Sequence, residues 1–334
     1  MDEFSFIARY LRPLACDFAG AQALQDDVAI LPNPPTGQHY VLSTDTIVED
    51  VHLLRRFGPA AFAWRGLGCA VSDIIAKGAT PICYFLNLSL PAELDESWLA
   101  NFTTALGEAQ NAYGVQLAGG DCTAARQIVM SYTIVGVCDS ALLPARNHAQ
   151  AEQGIFVTGT IGDGYLGLQT LLGTQEIKSL DDKQKAFVKN RYLRPTLRLQ
   201  AQEIIKKFAT SAMDISDGFV QDCEVLAQAS GLKIMVNLAN LPLSDAATIY
   251  ANGNLERIFS LIRAGDDYEI LFTAQMKQWH SMCDCAARLQ LPLCHVGVMC
   301  DASRHRYCYS GHEVFPSKRG YRHFAKRIQS KLVE

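Results

Sequence analysis

Apolar residues recur along the chain in two alternating rhythms. A three-to-four spacing, which turns one face of a helix inward, covers 59–77 through Phe62, Leu67, Ala70, Val71 and Ile74. It returns over 96–113 through Trp98, Phe102, Leu106 and Ala109, and each run meets a glycine stop, Gly78 or Gly114. Dense apolar runs predict strands at 40–44, 82–90, 115–118 and 128–137. Residues 139–154 lose all periodicity, so a domain boundary is expected there, dividing 1–145 from 146–334. The second half opens with a strand at 155–158 and a turn rich in glycine (Gly159, Gly162, Gly164). Helical patterns follow at 164–173, 181–191 and 195–208. A strand at 211–215 runs into a helix from about Asp217 to Ser230, and strands at 258–263 and 268–273 flank a turn at 264–267. This alternation predicts a mixed α/β (α+β) fold in two domains, without short repeats or low-complexity tracts.

Composition narrows the classes of function. Hydrophobic residues make up 49% of the 334 and charged residues 19%, enough for two packed cores. The net charge of −4 argues against bulk attraction to nucleic acid or an anionic membrane surface. The uncharged stretch 78–92 is too short to span a bilayer and carries Pro81 and Pro91. The first residues include Asp2 and Glu3 and no basic run, so no signal peptide is expected. Eleven cysteines, an odd number in a chain of this length, point to a reducing, cytoplasmic compartment. Five of them lie among four histidines between 280 and 312, but their spacing fits no common zinc module.

The chemistry is carried by carboxylates. They recur in tight groups where apolar strands are expected to end: Asp26-Asp27, Ser43-Thr44-Asp45, Ser72-Asp73, Gly119-Gly120-Asp121, Asp214-Ile215-Ser216-Asp217 and Gly265-Asp266-Asp267. Any one group has an ordinary explanation, because Asp and Gly dominate turns and Asp caps helices. Six gathered groups would repel one another without a cation, and oxygen ligands of this kind suit Mg²⁺ together with substrate phosphates. The glycines would admit close backbone approach to phosphate, and the amides after Ser216 are expected to open a helix facing one. Together these features point to phosphoryl transfer from a nucleotide with several Mg²⁺ ions. Neither a P-loop, nor the protein-kinase motif set, nor a dinucleotide-binding glycine fingerprint is present.

Three other residues enter the balance. His52 follows the second acidic group and is a candidate for substrate contact, with an ordinary surface or core role as the alternative. Arg146, in the inter-domain stretch, is a candidate phosphate clamp or else a solvated linker residue. Lys77 reads as a cation compensating a helix C-terminus, and the basic tail from Lys318 to Arg327 as a solvated face.

In this order the motifs resemble the thiamine-monophosphate kinase family of the aminoimidazole ribonucleotide synthetase-like ATP-binding superfamily. The resemblance runs from FSFIARYL at 4–11 through DDVAIL at 26–31, STDTIVEDVHL at 43–53 and VSDIIAKGATP at 71–81. It continues through YGVQLAGGDC at 113–122, VTGTIGD at 157–163, AMDISDG at 212–218, AGDDYEILFT at 264–273 and GYRHF at 320–324. It implies direct in-line transfer from ATP to thiamine monophosphate. It also implies two α/β halves and a homodimer joined through the N-terminal sheets. Carried over residue by residue, it implies Mg²⁺ ligands at Asp27, Asp45, Asp73, Asp121, Asp214 and Asp217, assisted by Ser43 and Thr44. Asp45, Asp121 and Asp217 would be central to catalysis. ATP would meet Gly120, Asp121, Arg146 and Ser216, and thiamine monophosphate His52 and Asp266. Residues 1–145 would bind ATP and Mg²⁺ and form the dimer, and residues 146–334 would complete the site. The sequence departs from the family pattern at Gln25 and Asp50, where glycine is usual, at Cys122 for threonine, at Asp266 for glutamate, and around Lys318 for an aromatic residue. Two alternatives stay open: another ATP-dependent enzyme of the superfamily, or a binding protein without turnover.

Overall fold

The computed structural model describes residues 3–26, 28–139 and 143–316. They fall into two units, one drawn from Met1–Ile74 and Ala79–Ala141, the other from Ile75–Gly78 and Leu142–His323.

The first unit is a four-stranded sheet with helices. After a short helical turn, α1 (Glu3–Phe6), come β1 (Gln38–Val48), α2 (Pro59–Ala76), β2 (Thr80–Leu90), α3 (Glu96–Tyr113), β3 (Gln116–Ala124) and β4 (Val129–Asp139). The strand order is β1-β4-β2-β3. β2 and β3 are parallel and the other pairs antiparallel, so α3 makes the crossover that a parallel pair requires. Asp95 caps α3 by accepting the Trp98 amide, and Gly114 ends it in the left-handed conformation. The buried sheet face carries Met130, Tyr132, Ile134, Tyr84, Leu86 and Leu88. Tyr132 donates to the Phe62 carbonyl of α2, and Tyr84 to Gln110 of α3. The opposite face is partly covered: Cys83 and Val135 are buried there with Phe18, Ala29 and Leu31 packed against them, whereas Leu42 on the edge strand is 64% exposed.

Two strands run further than their apolar cores suggest. β1 pairs with β4 from Gln38 to Val48, so Asp45 lies within the strand and not at its end. β3 continues through Ala124 beside β2, so Gly119, Gly120 and Asp121 are also strand residues. Ladder pairing to a long neighbour holds polar residues in a strand that their composition alone would end.

The second unit is built on a seven-stranded sheet of order β11-β10-β7-β9-β5-β8-β6. Its strands are β5 (Gly154–Thr158), β6 (Ser211–Asp214), β7 (Lys233–Asn237), β8 (Ile270–Ala274), β9 (Leu293–Cys300), β10 (Arg306–Tyr309) and β11 (His312–Val314). Every residue of β5 and β8 is buried, as continuous apolar central strands should be. The helices are α4 (Asp163–Leu172), α5 (Asp182–Leu193), α6 (Ala201–Phe208), α7 (Phe219–Ala229), α8 (Asp245–Ala251), α9 (Leu255–Arg263) and α10 (Trp279–Arg288).

Two expectations fail here. Residues 258–263 are helical, not a strand: Ile258, Phe259, Leu261 and Ile262 are all buried, a helical spacing, and Asn254 caps the start by accepting the Arg257 amide. The helix expected over 195–208 begins only at Ala201, and the stretch before it places Arg198 against a buried carboxylate. Lys77 also does more than offset a helix dipole. Its ammonium donates to the carbonyls of Pro144, at 3.2 Å, and Ala212, tying the start of the second unit to β6.

Candidate active site

In the first unit the candidate ligands separate by strand pleat. Successive side chains of β1 point to opposite faces. Ser43 and Asp45 share the helix-covered face, and the Ser43 hydroxyl donates to Asp73 Oδ2 of α2 at 2.5 Å. Burial, and then the neighbouring Asp73 carboxylate, push the Asp45 carboxyl up to about 6. Two adjoining, partly desolvated carboxylates with a hydroxyl beside them form a donor set that a hard dication would relieve. Thr44 points the other way, where its hydroxyl bonds Thr133 Oγ1 at 2.9 Å. Its side chain is therefore not beside Ser43 and Asp45, and its carbonyl is the atom left to serve a cation.

Asp121 belongs to Thr44's face. Directly opposed residues share a face, and the register runs Thr46–Ser131–Asn87–Asp121 across all four strands. Asp121 is exposed there. Gly120 before it is fixed by space: a Cβ would lie 1.9 Å from the Leu86 carbonyl oxygen, and φ is +154°. The four-strand sheet thus puts Asp45 with Asp73 on one face and Asp121 on the other, where Thr44 lies on the far edge strand. Asp27 lies outside the described residues, as does Lys318.

The turn after β1 positions His52. Its Nδ1 accepts the Val48 amide at 3.0 Å, which leaves Nε2 as the donor nitrogen. Glu49 is occupied structurally: it pairs with Arg55 and accepts the Ile128 amide at 2.9 Å. The Arg55 bond holds its carboxyl below the usual range.

In the second unit, β6 delivers a buried Asp214, and the turn 215–218 leads to α7. The amides of Ser216, Asp217 and Gly218 do not face outward. All three donate to one oxygen, Asp222 Oδ2, at 3.1 Å each. The expected phosphate cradle is therefore filled by a carboxylate of the chain itself. Ser216 is left with its hydroxyl, since its carbonyl accepts the Asp266 amide at 3.0 Å. Asp217 Oδ2 accepts from Gln221. Burial, then Asp217, push Asp222 up to about 7 against the pull of the three amides.

The 264–269 segment lies against this turn. Tyr268 donates its amide to the Ile215 carbonyl, and the Ile215 amide donates to the Glu269 carbonyl. Gly265 is required, because a Cβ would meet the Ser216 carbonyl oxygen at 1.9 Å. Asp266 is held with φ at +76°, and the Tyr268 hydroxyl donates to it at 3.3 Å. The next acids point inward. Asp267 accepts the Gly162 and Gly164 amides at the start of α4, at 2.8 and 3.0 Å. Glu269 accepts from Arg191, Thr158 and both ends of the Arg198 fork. Arg146 keeps its side chain exposed, while its carbonyl accepts the Ser211 and Ser230 hydroxyls.

Sequence reasoning missed Asp222, Glu269, Arg191 and Arg198. The one available signal was an acid in the first turn of a helix following Asp-Gly. Among the described residues, no three or more His, Cys, Asp or Glu side chains form a ready metal cage, at the acidic groups or in the 280–312 segment. In that segment Cys294 donates to the Asn240 carbonyl.

Residues 25–138 match the family model "AIR synthase related protein, N-terminal domain". The thiamine-monophosphate kinase of Escherichia coli (strain K12) is 33% identical over 97% of this chain and 98% of its own length. That of Aquifex aeolicus is 34% identical over 79% of this chain and 84% of its own. Among solved structures, the Stenotrophomonas maltophilia K279a thiamine-monophosphate kinase superposes with a TM-score of 0.80, at 29% identity over 94% and 98% of the two chains. "AaThiL complexed with AMPPCP and TMP" gives 0.75 at 30% identity, over 91% and 94%.

Proposed function

Because the chain belongs to the thiamine-monophosphate kinase family, we infer that it is an ATP-dependent kinase that converts thiamine monophosphate to thiamine diphosphate. The γ-phosphorus leaves the bridging oxygen of ADP and bonds a phosphate oxygen of the acceptor. That acceptor oxygen is already ionised at neutral pH, so the reaction needs no strong general base. Positioning and neutralisation of charge carry it instead.

The observation that supports this most is the Ser43–Asp45–Asp73 group, whose crowded carboxylates are poor neighbours without a cation. We assign Mg²⁺ binding to Asp27, Asp45, Asp73, Asp121, Asp214 and Asp217, with Ser43 through its hydroxyl and Thr44 through its carbonyl. Bound there, Mg²⁺ would neutralise phosphate charge as it shifts during transfer. Gly120, Arg146 and Ser216 are assigned to ATP, and His52 and Asp266 to thiamine monophosphate. Residues 1–145 then form the nucleotide, metal and dimerisation domain, and 146–334 complete the site. A homodimer is supported by the exposed edge of the first sheet, where Leu42, Thr44 and Thr46 of β1 stand open beyond the part covered by Phe18, Ala29 and Leu31. A cytoplasmic setting is supported by eleven cysteines, all free. No described helix is long and apolar enough to cross a membrane.

The test is product analysis. Protein, ATP and Mg²⁺ are incubated with thiamine monophosphate, with free thiamine or without acceptor, and ADP and thiamine diphosphate are quantified. Equal amounts of both products from the monophosphate alone are expected. ADP without diphosphate would point to another acceptor within the superfamily. No ADP would favour a binding protein.

A further inference from the structure

Every amide from Ile215 to Gly218 is already committed within the protein: Ile215 to Glu269, and the other three to Asp222. Three successive amides converging on one point are the geometry that proteins use to hold an external anion. Here the anion is internal. Asp222 is 2% exposed and sits in the first turn of α7. Its backbone amide returns to the Gly218 carbonyl at 3.0 Å, so the turn and the helix start lock each other. Gln221, one residue earlier, reaches back to Asp217 Oδ2 at 3.0 Å.

We propose that Asp222 is a positioning residue that fills the amide cradle of residues 216–218 and thereby leaves the side chains of Ser216 and Asp217, rather than the loop's amides, to meet ligand. A turn of this sequence without Asp222 would present three free N–H groups and attract phosphate oxygen directly. With Asp222 in place the turn repels phosphate and offers oxygen ligands, which suits a metal ion carrying the phosphate. The inference rests on reading Asp214 and Asp217 as metal ligands. Asp222 contacts neither metal nor substrate in this scheme. Its effect passes through the backbone of the loop.

Two measurements test it. The first is amide hydrogen exchange in the ligand-free wild-type protein. Residues 216–218 are expected to exchange at least about 100-fold more slowly than an open turn, since buried hydrogen-bonded amides are protected. Exchange at the unprotected rate would overturn the proposal. The second is Mn²⁺ binding in the presence of ADP, followed by electron paramagnetic resonance, for wild type, Asp222→Asn, Asp222→Ser and Asp222→Leu. The asparagine oxygen can still accept the three amides, so D222N should keep affinity within about threefold, whereas D222L and D222S should lose at least about tenfold. The Mg²⁺ concentration for half-maximal turnover should rise in parallel in D222L and D222S, with a smaller change in kcat. A folded D222L or D222S that binds Mn²⁺ as wild type does would overturn the proposal. So would a folded D222N as weak as D222L, since charge rather than loop geometry would then be at work. If D222L fails to fold, D222S and the exchange measurement decide. If wild-type protein binds no Mn²⁺, the metal reading of Asp214 and Asp217 fails, and the exchange result still judges the loop.

Discussion

In the first unit, Asp45 and Asp73 interact between β1 and α2 with one serine hydroxyl for company, and Asp45 is pushed up to about 6. In the second, Asp222, Asp267 and Glu269 are buried more deeply, yet each is matched by amides or guanidinium groups. The same residue types do different work. Where the chain supplies donors, the carboxylate holds backbone. Where it withholds them, the carboxylate is left for something the chain does not supply. A search for ligands by acid content alone confuses the two, and the distinction lies in the partners.

The contrast is broken most directly at Glu269. Replacing it with alanine leaves Arg191, 6% exposed, and Arg198 facing an empty site. Removing one partner of a buried ion pair typically costs about 3–5 kcal/mol, so Glu269→Ala should lower the melting temperature by many degrees or prevent folding. A melting curve like wild type would show that the network holds nothing.

Asp45→Asn should behave in the opposite way. Turnover should fall by at least about 100-fold, roughly 3 kcal/mol of lost transition-state stabilisation, while the metal-free protein melts no lower than wild type. Asp121→Asn should also lose turnover with the fold intact. Wild-type rates in either variant would remove that residue from the metal set.

pH sharpens the comparison further. Asp45 is raised from its ordinary 3.8 to about 6, so the folded protein holds that proton more tightly than the unfolded chain. Its contribution to stability therefore falls as pH rises from about 4 to 6, by at most about 3 kcal/mol. Without metal, the protein should melt lower at pH 7.5 than at pH 5, and added Mg²⁺ should recover more at pH 7.5. Asp45→Asn should flatten the Mg²⁺ trend and remove part of the metal-free fall, leaving the part that the raised Asp222 carboxyl contributes. Differential scanning fluorimetry at the two pH values reads this out, and a pH-independent Mg²⁺ effect would detach Asp45 from the cation.

The smallest effect is expected at Thr44. Its hydroxyl bonds Thr133 on the exposed face, so Thr44→Val should cost under about 1 kcal/mol and change kcat/KM less than about threefold. A large kinetic loss would mean that the hydroxyl, and not the carbonyl, serves the cation.

These differences also explain what the sequence did and did not reveal. Helices α2 and α3 were legible because an apolar stripe and a glycine stop are local signals. The motif Asp214–Asp217 was legible as acidic chemistry because its residues are adjacent. The use of its amides was not, since the partner is a side chain several residues on, and nothing in the spacing says which way an acid points. Glu269 was invisible for a related reason: Arg191 and Arg198 come from distant segments. α9 was misread because Ile258-Phe259-Ser260-Leu261-Ile262 suits either a strand or a helix, and the Asn254 cap decides. Two departures from the family pattern become intelligible in the backbone. Gln25 has φ −114°, where no glycine is needed. Asp50 sits at +62°, which glycine adopts freely and aspartate tolerates better than most residues.

The Asp222 contacts also bear on how the second unit assembles. They close loops of only four to six residues, so the turn 216–218 can take its final shape as soon as the first turn of α7 forms, at little cost in chain entropy. The 264–269 segment must arrive from about fifty residues away and finds its docking edge, the carbonyls of Ile215 and Ser216, already in place. A local contact thus acts as a template for a distant one, and the 264–269 segment inherits its register from the 215–218 turn during folding.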